Sequence, residues 1–416
     1  MNRKIMGMKK IKLLFDVEQL CTDGLHGTGV VRVADILLRK LLENPQLDIY
    51  PIITSKRGDF NAYMQAKGLS ETLKQKIIYM PKLKATTKNL WWYQSLRSKI
   101  LTLIYHLKYD TELNKYDAYL SVFSPISPVI YQSNIQTFLI IHDLIPIYYP
   151  DGCDAKFIRK FTDWIKRSHP DTYFCVSNYT IKDLRRFKPD TAHIPAQRIY
   201  LGADEKFNHI TNKKIIKNIK HKYNIMTPKY FLAVSEITTR KNLTHLLKSF
   251  VQFLQNTKAE DISLVLVGPI RKGYSEVTSK IIELSEYRNK IIQTGYVDDS
   301  DLPLLYNGAL AFIYPSLYEG FGLPILEAMQ CGTPVIATNN TSLPEVGGDA
   351  VLYISGQDEE QTAEQLQKIY NNPQIAENLS KKGLQQAQKF NWQITADTIT
   401  KTIIGVIKNE KNKNII

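Results

Sequence analysis

The sequence is poor in cysteine, in acidic residues and in long apolar runs. Its four cysteines (Cys21, Cys153, Cys175, Cys331) lie far apart among 416 residues. A disulfide framework or a zinc knuckle needs clustered Cys or His, so neither is expected, and the thiols read as reduced ones in a cytosolic protein. Cys331 stands in an apolar stretch and reads as core. No apolar run approaches the ~18–20 residues of a membrane span, which excludes an integral helical membrane protein. The first ten residues carry charge but no apolar h-region, so no export signal is expected there. A 44% hydrophobic and 23% charged composition is that of globular domains rather than of a disordered chain.

What is present in excess is positive charge. Lys and Arg number 54 against 40 Asp and Glu, a formal +14. Residues 1–208 hold 31 basic and 20 acidic side chains, and residues 209–416 hold 23 and 20, so +11 of the excess sits in the first half. A nucleic-acid-binding reading would rest on this charge alone, since no recognition module is legible.

Short Ile-, Val- and Leu-rich runs alternate with helical patterns along most of the chain. Strands are expected at 11–15, 49–53, 118–122, 137–141, 172–176, 230–234, 263–267, 291–294, 310–314 and 334–337. Apolar runs without polar alternation read as strands buried on both faces. Between them lie amphipathic helices such as 31–42, whose Val33, Ile36, Leu37 and Leu41 form one stripe opposite Arg32, Asp35, Arg39 and Lys40. Repeated strand–helix–strand units imply parallel sheets and an α/β fold. The pattern breaks at the basic, low-complexity stretch 208–227, expected as a hinge between a Rossmann-like domain over 1–207 and a second over 228–390. Residues 391–416 read as a helix returning toward the first domain, frayed from 408.

The most informative stretch is Tyr314–Val335. Gly320 and Gly322 form a turn after a strand, and a helix starts near Pro324. Glycines before a helix start let backbone N–H groups point at an anion, and the helix dipole adds partial positive charge. Glu319 and Glu327 bracket the turn, eight positions apart. A carboxylate beside a phosphate would repel it, whereas an ionised Glu accepts two hydrogen bonds and suits a sugar diol. From physics the choice lies between a sugar-nucleotide cradle and a Gly-rich turn whose surface Glu caps the helix.

The Glu-x7-Glu phrase resembles the signature of family 4 retaining glycosyltransferases of the GT-B fold. The resemblance extends through Gly295–Tyr306, Ser342–Val351, Asp16 with Gly27–Val33, His142–Pro146, Val176–Tyr179 and Tyr200–Asp204, nearly the whole chain. In this order the motifs are most similar to mannosyl- and rhamnosyltransferases that build bacterial O-antigen and capsule. The resemblance implies a GT-B fold, two Rossmann-like domains across a deep cleft, the first for the acceptor and the second for the donor. It implies that Glu319 holds hydroxyls of the transferred sugar, that backbone N–H groups of Gly320, Phe321, Gly322 and Leu323 meet the ring or distal phosphate, and that Glu327 holds the ribose. Arg240 and Lys241 match the basic motif that neutralises the donor diphosphate. Cations there, before a helix, oppose the dipole and therefore need an anionic partner. Many members carry Gly-Arg where this chain has Ser235-Glu236, which leaves Arg240 and Lys241 as the main phosphate cations.

Gly27, Thr28 and Gly29 form an imperfect glycine loop that the family sets across the cleft from the donor phosphates. His142 ends a parallel strand, where ligands bind; the family puts a catalytic His there against the donor sugar and acceptor. A buried His that merely holds a loop is the alternative. Asp143 is either an acceptor ligand or a helix cap. The base is expected near Gly268, Tyr296 and Val297. The implied reaction moves a sugar, with mannose or a related hexose or deoxyhexose favoured, from a GDP-, UDP- or dTDP-linked donor to a hydroxyl of a lipid-linked saccharide. Neither a metal nor a cofactor is implied. A sugar-nucleotide epimerase of the same two-domain fold is the alternative. Two basic stretches interleaved with aromatics, 82–108 and 156–188, suggest docking on the anionic inner face of the cytoplasmic membrane.

Overall fold

A computed structural model describes residues 9–21, 29–54, 60–80, 112–150, 153–269 and 276–413. Two wholly parallel sheets organise the chain. The first contains β1 (Ile11–Asp16), β2 (Leu47–Ile53), β3 (Ile78–Tyr79), β4 (Ala118–Ser121), β5 (Gln136–Ile141), β6 (Thr172–Cys175) and β7 (Ala196–Arg198), in the order β3-β2-β1-β4-β5-β6-β7. The second contains β8 (Lys229–Val234), β9 (Ile262–Val267), β10 (Ile291–Gly295), β11 (Ala311–Tyr314), β12 (Val335–Thr338) and β13 (Val351–Ile354), in the order β10-β9-β8-β11-β12-β13. The ten expected strands are all present within one or two residues. The three that the sequence pattern did not suggest, β3, β7 and β13, are all edge strands. An edge strand is paired on one side only, so its residues need not be uniformly apolar. Ala196–Arg198, half-buried to exposed, illustrates this.

Central strands such as β4, β9, β11 and β12 are buried at every position. Helices cover both faces, as the unalternating apolar runs require. Helix Gly29–Leu42 buries Val33, Leu37 and Leu41 as expected. Within the stretch read as a hinge, Lys213–Lys222 forms a helix. Asn212 caps it by accepting from the Lys214 and Ile215 amides, and Ile219 is buried against the second domain's helix Leu302–Gly308.

The C-terminal helix runs from Trp392 to Lys413, past the point where fraying was expected. It packs on helix Gly29–Leu42 with Ala396, Ile399, Ile403 and Ile407 buried. Burial of Ile407 and a Lys411–Asp117 ion pair at 3.5 Å carry the helix beyond residue 408. Cys331 is buried, and Cys21, Cys153, Cys175 and Cys331 form no disulfide. No helix among the described residues is long and apolar enough to cross a membrane.

Strand order reverses between β1 and β4 in the first sheet and between β8 and β11 in the second. Loops leaving the carboxyl ends of such neighbouring strands diverge and open a crevice, the position at which parallel α/β sheets bind ligands.

Candidate functional site

The crevice of the second sheet is built by the loops after β8 and β11. After β8, Thr239–Lys241 forms one 3-10 turn and Asn242 takes a left-handed conformation (φ +56°) before helix Leu243–Thr257. That turn aims Arg240 and Lys241 at the loop after β11. Arg240 Nη1 and Lys241 Nζ each donate to Glu319 Oε1 at 2.6 Å. Tyr314 Oη and Ser316 Oγ donate to the same oxygen at 2.8 and 2.6 Å. Among the described residues all four of these bonds end on Oε1, which leaves Oε2 for a further donor. Glu319 is buried; burial alone would raise its carboxyl, but the Arg240 and Lys241 charges overcome that and hold it at about 2. Burial pulls the Lys241 ammonium down to about 8; Glu319 opposes that shift and Arg240 adds to it. The expected anionic partner of the two cations is thus Glu319 itself. The group carries two partly buried positive charges against the one negative charge of Glu319, an arrangement that suits a further anion.

Gly320 and Gly322 follow. Gly322, at φ +110°, is the N-cap of helix Leu323–Gln330, with Pro324 in its first turn. The Phe321 side chain is buried against Tyr200 and Phe390, so only its backbone is available to a ligand. Glu327, one turn along, is buried and accepts from Arg32 Nη2 at 2.6 Å. Arg32 belongs to the first domain and was read from the sequence as lying on the polar face of its helix. Glu319 and Glu327 therefore hold separate cations, and the eight-residue spacing puts them at two places along one crevice.

The first domain presses on this turn. A Cβ at Gly320 would lie 1.9 Å from the His142 carbonyl oxygen and 2.8 Å from Asp143 Cβ. The Gly320 carbonyl accepts from Ser177 Oγ at 2.7 Å and Thr180 Oγ1 at 3.1 Å. Glu345 of the second domain accepts from the amides of Asn178 and Tyr179, at 2.8 and 2.7 Å, at the start of helix Asn178–Phe187. A carboxylate there also meets the positive end of the helix dipole.

His142 is buried, and its Nε2 lies 3.0 Å from the Val122 carbonyl oxygen. Burial lowers the imidazole to about 4, so it is neutral at ordinary pH. A carbonyl accepts only, so Nε2 carries the proton and Nδ1 offers its lone pair. Asp143 Oδ1 accepts from the Ile145 amide at 2.9 Å, which makes it a local cap; burial raises its carboxyl, while Arg240 and Lys241 pull it down. Asp16, at the end of β1, was a motif match without an assigned role. Its Oδ1 accepts from the Glu18 amide and its Oδ2 from Tyr119 Oη, and burial raises it to about 7.

Other expected residues are more peripheral. Gly29 is the exposed first residue of its helix, and Gly27 and Thr28 lie outside the described residues. Gly268 (φ +129°) has no room for a Cβ, which would sit 2.1 Å from the Ser235 carbonyl oxygen. Its amide donates to the Gly295 carbonyl at 2.9 Å, tying the loops after β9 and β10 together. Tyr296 is exposed and offers a ring, whereas the Val297 side chain is core. Sequence reasoning missed Arg32, Tyr314 and Ser316. Tyr314 and Ser316 stood inside the signature stretch, and Arg32 inside the Gly27–Val33 motif, but each earns its place through a partner that only the fold supplies.

The chain is similar to several known proteins. Residues 215–386 match the model of the glycosyl transferases group 1 family. An O-antigen chain mannosyltransferase B of Escherichia coli is 38% identical over 182 residues, 44% of this chain and 47% of that protein. A serotype-specific mannosyltransferase WbdA of Escherichia coli is 30% identical over 271 residues, 63% of this chain and 32% of that protein. The chain thus spans about half or less of the length of these curated relatives. Anabaena HepE, solved in complex with UDP and glucose, superposes with a TM-score of 0.69 at 16% identity, over 95% of this chain and 100% of that one. That likeness is one of fold, and the expected GT-B architecture of two Rossmann-like domains is the one observed. Over residues 215–386, the chain is similar to the group 1 glycosyl transferases.

Proposed function

We propose that the chain is a glycosyltransferase of cell-surface polysaccharide biosynthesis that moves a hexose, mannose in the first instance, from a nucleoside diphosphate sugar to a saccharide hydroxyl. The observation that carries this is the partly buried cluster of Arg240, Lys241 and Glu319 at the reversal of the second sheet, with His142 and Gly320 in contact across the cleft. Similarity to mannosyltransferases of O-antigen supports the sugar and the pathway class. An epimerase has no support among these relatives.

In this reading Arg240 and Lys241 meet the diphosphate, and Glu319 turns Oε2 to hydroxyls of the transferred sugar. The Gly320–Leu323 amides face the ring or distal phosphate, and Glu327 takes the ribose. By the family resemblance, Gly27, Thr28 and Gly29 are assigned to the donor phosphates, and Gly268, Tyr296 and Val297 flank the base. The neutral His142 accepts a hydroxyl proton in a hydrogen bond through Nδ1. Asp143 bounds the acceptor side. The acceptor oxygen attacks the anomeric carbon on the face from which the diphosphate leaves. The C1–O bond to the diphosphate breaks, and the hydroxyl proton passes to the departing phosphate oxygen, so configuration is retained. Cations beside that oxygen stabilise the charge that grows on it, with no metal required.

The acceptor is lipid-linked and met at the inner face of the cytoplasmic membrane. Helix Ala155–Arg167 supports this: Phe161 and Ile165 enter the core, while Phe157, Lys156, Arg159, Lys160, Lys166 and Arg167 remain exposed. The other basic stretch, 82–108, lies outside the described residues. Flotation with anionic vesicles tests docking, and no enrichment over neutral vesicles counts against it. For the reaction, a thermal-shift panel of UDP, GDP, dTDP and CDP comes first, since a ligand of the native state raises Tm by mass action. The matching mannose donor is then supplied with an acceptor glycan. No shift with any nucleotide would sink the reading.

A further inference from the structure

A second cavity opens between the domains, apart from the Arg240–Lys241–Glu319 cluster. It measures about 740 Å³, inside the roughly 300–1,000 Å³ typical of ligand pockets. Its first-domain wall follows β5 and β6 and carries Tyr148, Tyr149, Tyr179 and Arg186. Its second-domain wall lies at the carboxyl ends of β12 and β13 and carries Asn339, Asn340, Tyr353 and Gln357. Tyr318 stands between the two walls. Its ring centroid lies 5.3 Å from that of Tyr149, 6.0 Å from Tyr179 and 6.1 Å from Tyr148, and its hydroxyl donates to Asp183 of the first domain.

The chemistry of this lining narrows its ligand. A nucleoside diphosphate needs several cations or a glycine cradle. Among the described residues the cavity has one cation, Arg186, which lies over the Tyr148 ring at 5.5 Å and has Asp183 near it. A lipid chain needs an apolar lining, and here amides and hydroxyls interrupt the rings. Aromatic faces are electron-rich and attract the C–H groups of a pyranose, while amide side chains exchange paired hydrogen bonds with its hydroxyls. A neutral saccharide suits both.

The cavity is also wired to the reaction centre. Thr341, on its rim, has φ +50°, a strained conformation for a β-branched residue. Such strain persists only where surrounding contacts over-determine it, and it concentrates at functional sites. Here Thr341 Oγ1 accepts from the Glu319 amide at 3.2 Å. Leu317, two residues before Glu319, donates its amide to the Arg240 carbonyl at 2.8 Å.

We propose that this tyrosine-lined cavity is a saccharide subsite that holds sugar units of a neutral glycan at a distance from the bond being made, and that its occupant bridges the two domains. The proposal rests on the reading of the enzyme as one that acts on saccharides. It deepens that reading by placing the non-reacting part of the glycan.

The test is saturation-transfer NMR of the full chain with neutral tetrasaccharides of mannose, glucose or galactose, each with and without the nucleotide that raises Tm most. At least one tetrasaccharide is expected to receive saturation, and the nucleotide is not expected to displace it. Tyr353→Ala is expected to weaken that binding about tenfold or more, and so is Gln357→Ala, which sits at an exposed position and keeps the test decisive where the tyrosine variant does not fold. Both variants keep the nucleotide-induced shift. Absence of transfer from every tetrasaccharide overturns the subsite, as does transfer that survives both substitutions or is lost only with Glu319→Gln. Nucleotide binding and donor turnover are read separately, so failure of the subsite is distinguishable from failure of the transferase reading.

Discussion

The Arg32 guanidinium of the first domain donates to the Glu327 carboxylate of the second at 2.6 Å, although the two are 295 positions apart in the chain. Glu327 also lies 3.5 Å from the Tyr306 hydroxyl. The pair is one of several bonds that close the cleft, with Ser177 to Gly320 and the Asn178 and Tyr179 amides to Glu345. The residue proposed to take the ribose is therefore also the residue that the first domain grips. On that proposal, donor binding and domain closure are linked through one carboxylate.

Arg32→Ala leaves a buried carboxylate without its cation, at a cost of about 1–3 kcal/mol. The expected result is a lower Tm and, by small-angle scattering, a larger radius of gyration in the absence of ligand. Glu327→Ala is expected to weaken the preferred nucleotide by roughly 10–100-fold in calorimetry. Unchanged affinity removes Glu327 from the donor site.

Lys241→Ala and Glu319→Ala each break the charge cluster. A cation aimed at charge that develops in the transition state is worth about 100- to 1,000-fold in kcat, and a loss of that order is expected for both. Circular dichroism checks that the folds persist. Near-normal kcat in either folded variant disproves the assignment.

The Lys241 ammonium, brought down to about 8, supplies a pH signature. Below that value it is charged and matches a diphosphate; above it the charge is lost. Donor kcat/KM, which reports ionisations of the free enzyme, is expected to fall as pH rises through about 8. Lys241→Arg stays charged at every accessible pH, so the fall is expected to disappear in that variant even where its absolute rate is lower. A decline that persists unchanged belongs to another group.

Asp16 gives a stability test. Its carboxyl titrates near 7 in the folded chain, against 3.8 ordinarily. Between those values the native state binds more protons than the unfolded one, so this group's contribution falls as pH rises across the window and stays low above it. Asparagine does not titrate. The Tm of Asp16→Asn relative to the parent is expected to improve from pH 5 to pH 8, and a pH-independent difference rules out the raised carboxyl.

Gly320→Ala places a methyl group 1.9 Å from the His142 carbonyl oxygen, a backbone atom that cannot step aside. The cleft should then stand open. Misplacing reacting groups by about 1 Å costs on the order of 100-fold in rate, and turnover is expected to drop accordingly while both sheets remain folded. Full activity would mean that this close approach is not needed.

Much of the fold was legible because both-face burial in a parallel sheet leaves a strong local trace. Ile262–Val267 is apolar at five of its six positions and buried at all six. Edge strands leave little trace, and β7 is Ala-Gln-Arg. The Glu319 cluster was partly legible for the same local reason: strand, glycine turn and helix occur within one short phrase. Arg32 misled because helical periodicity sorts residues into polar and apolar faces but does not say what stands opposite the polar one. The tyrosine cavity was invisible, since its walls come from residues 148–186 and 317–361.

The amino-acid order by itself determined the two alternating strand–helix blocks, the glycine turn before Leu323–Gln330, and the presence of two carboxylates and two cations beside it. These depend on backbone propensity and on contacts within a few turns of chain. Tertiary structure decided which charge meets which. Glu319 is held by Arg240 and Lys241, Glu327 by Arg32, and Gly320 lies against His142. The physical reason is that ion pairing and steric contact act over a few ångströms in space, and only the apposition of two separately folded sheets brings residues so far apart in sequence within that range.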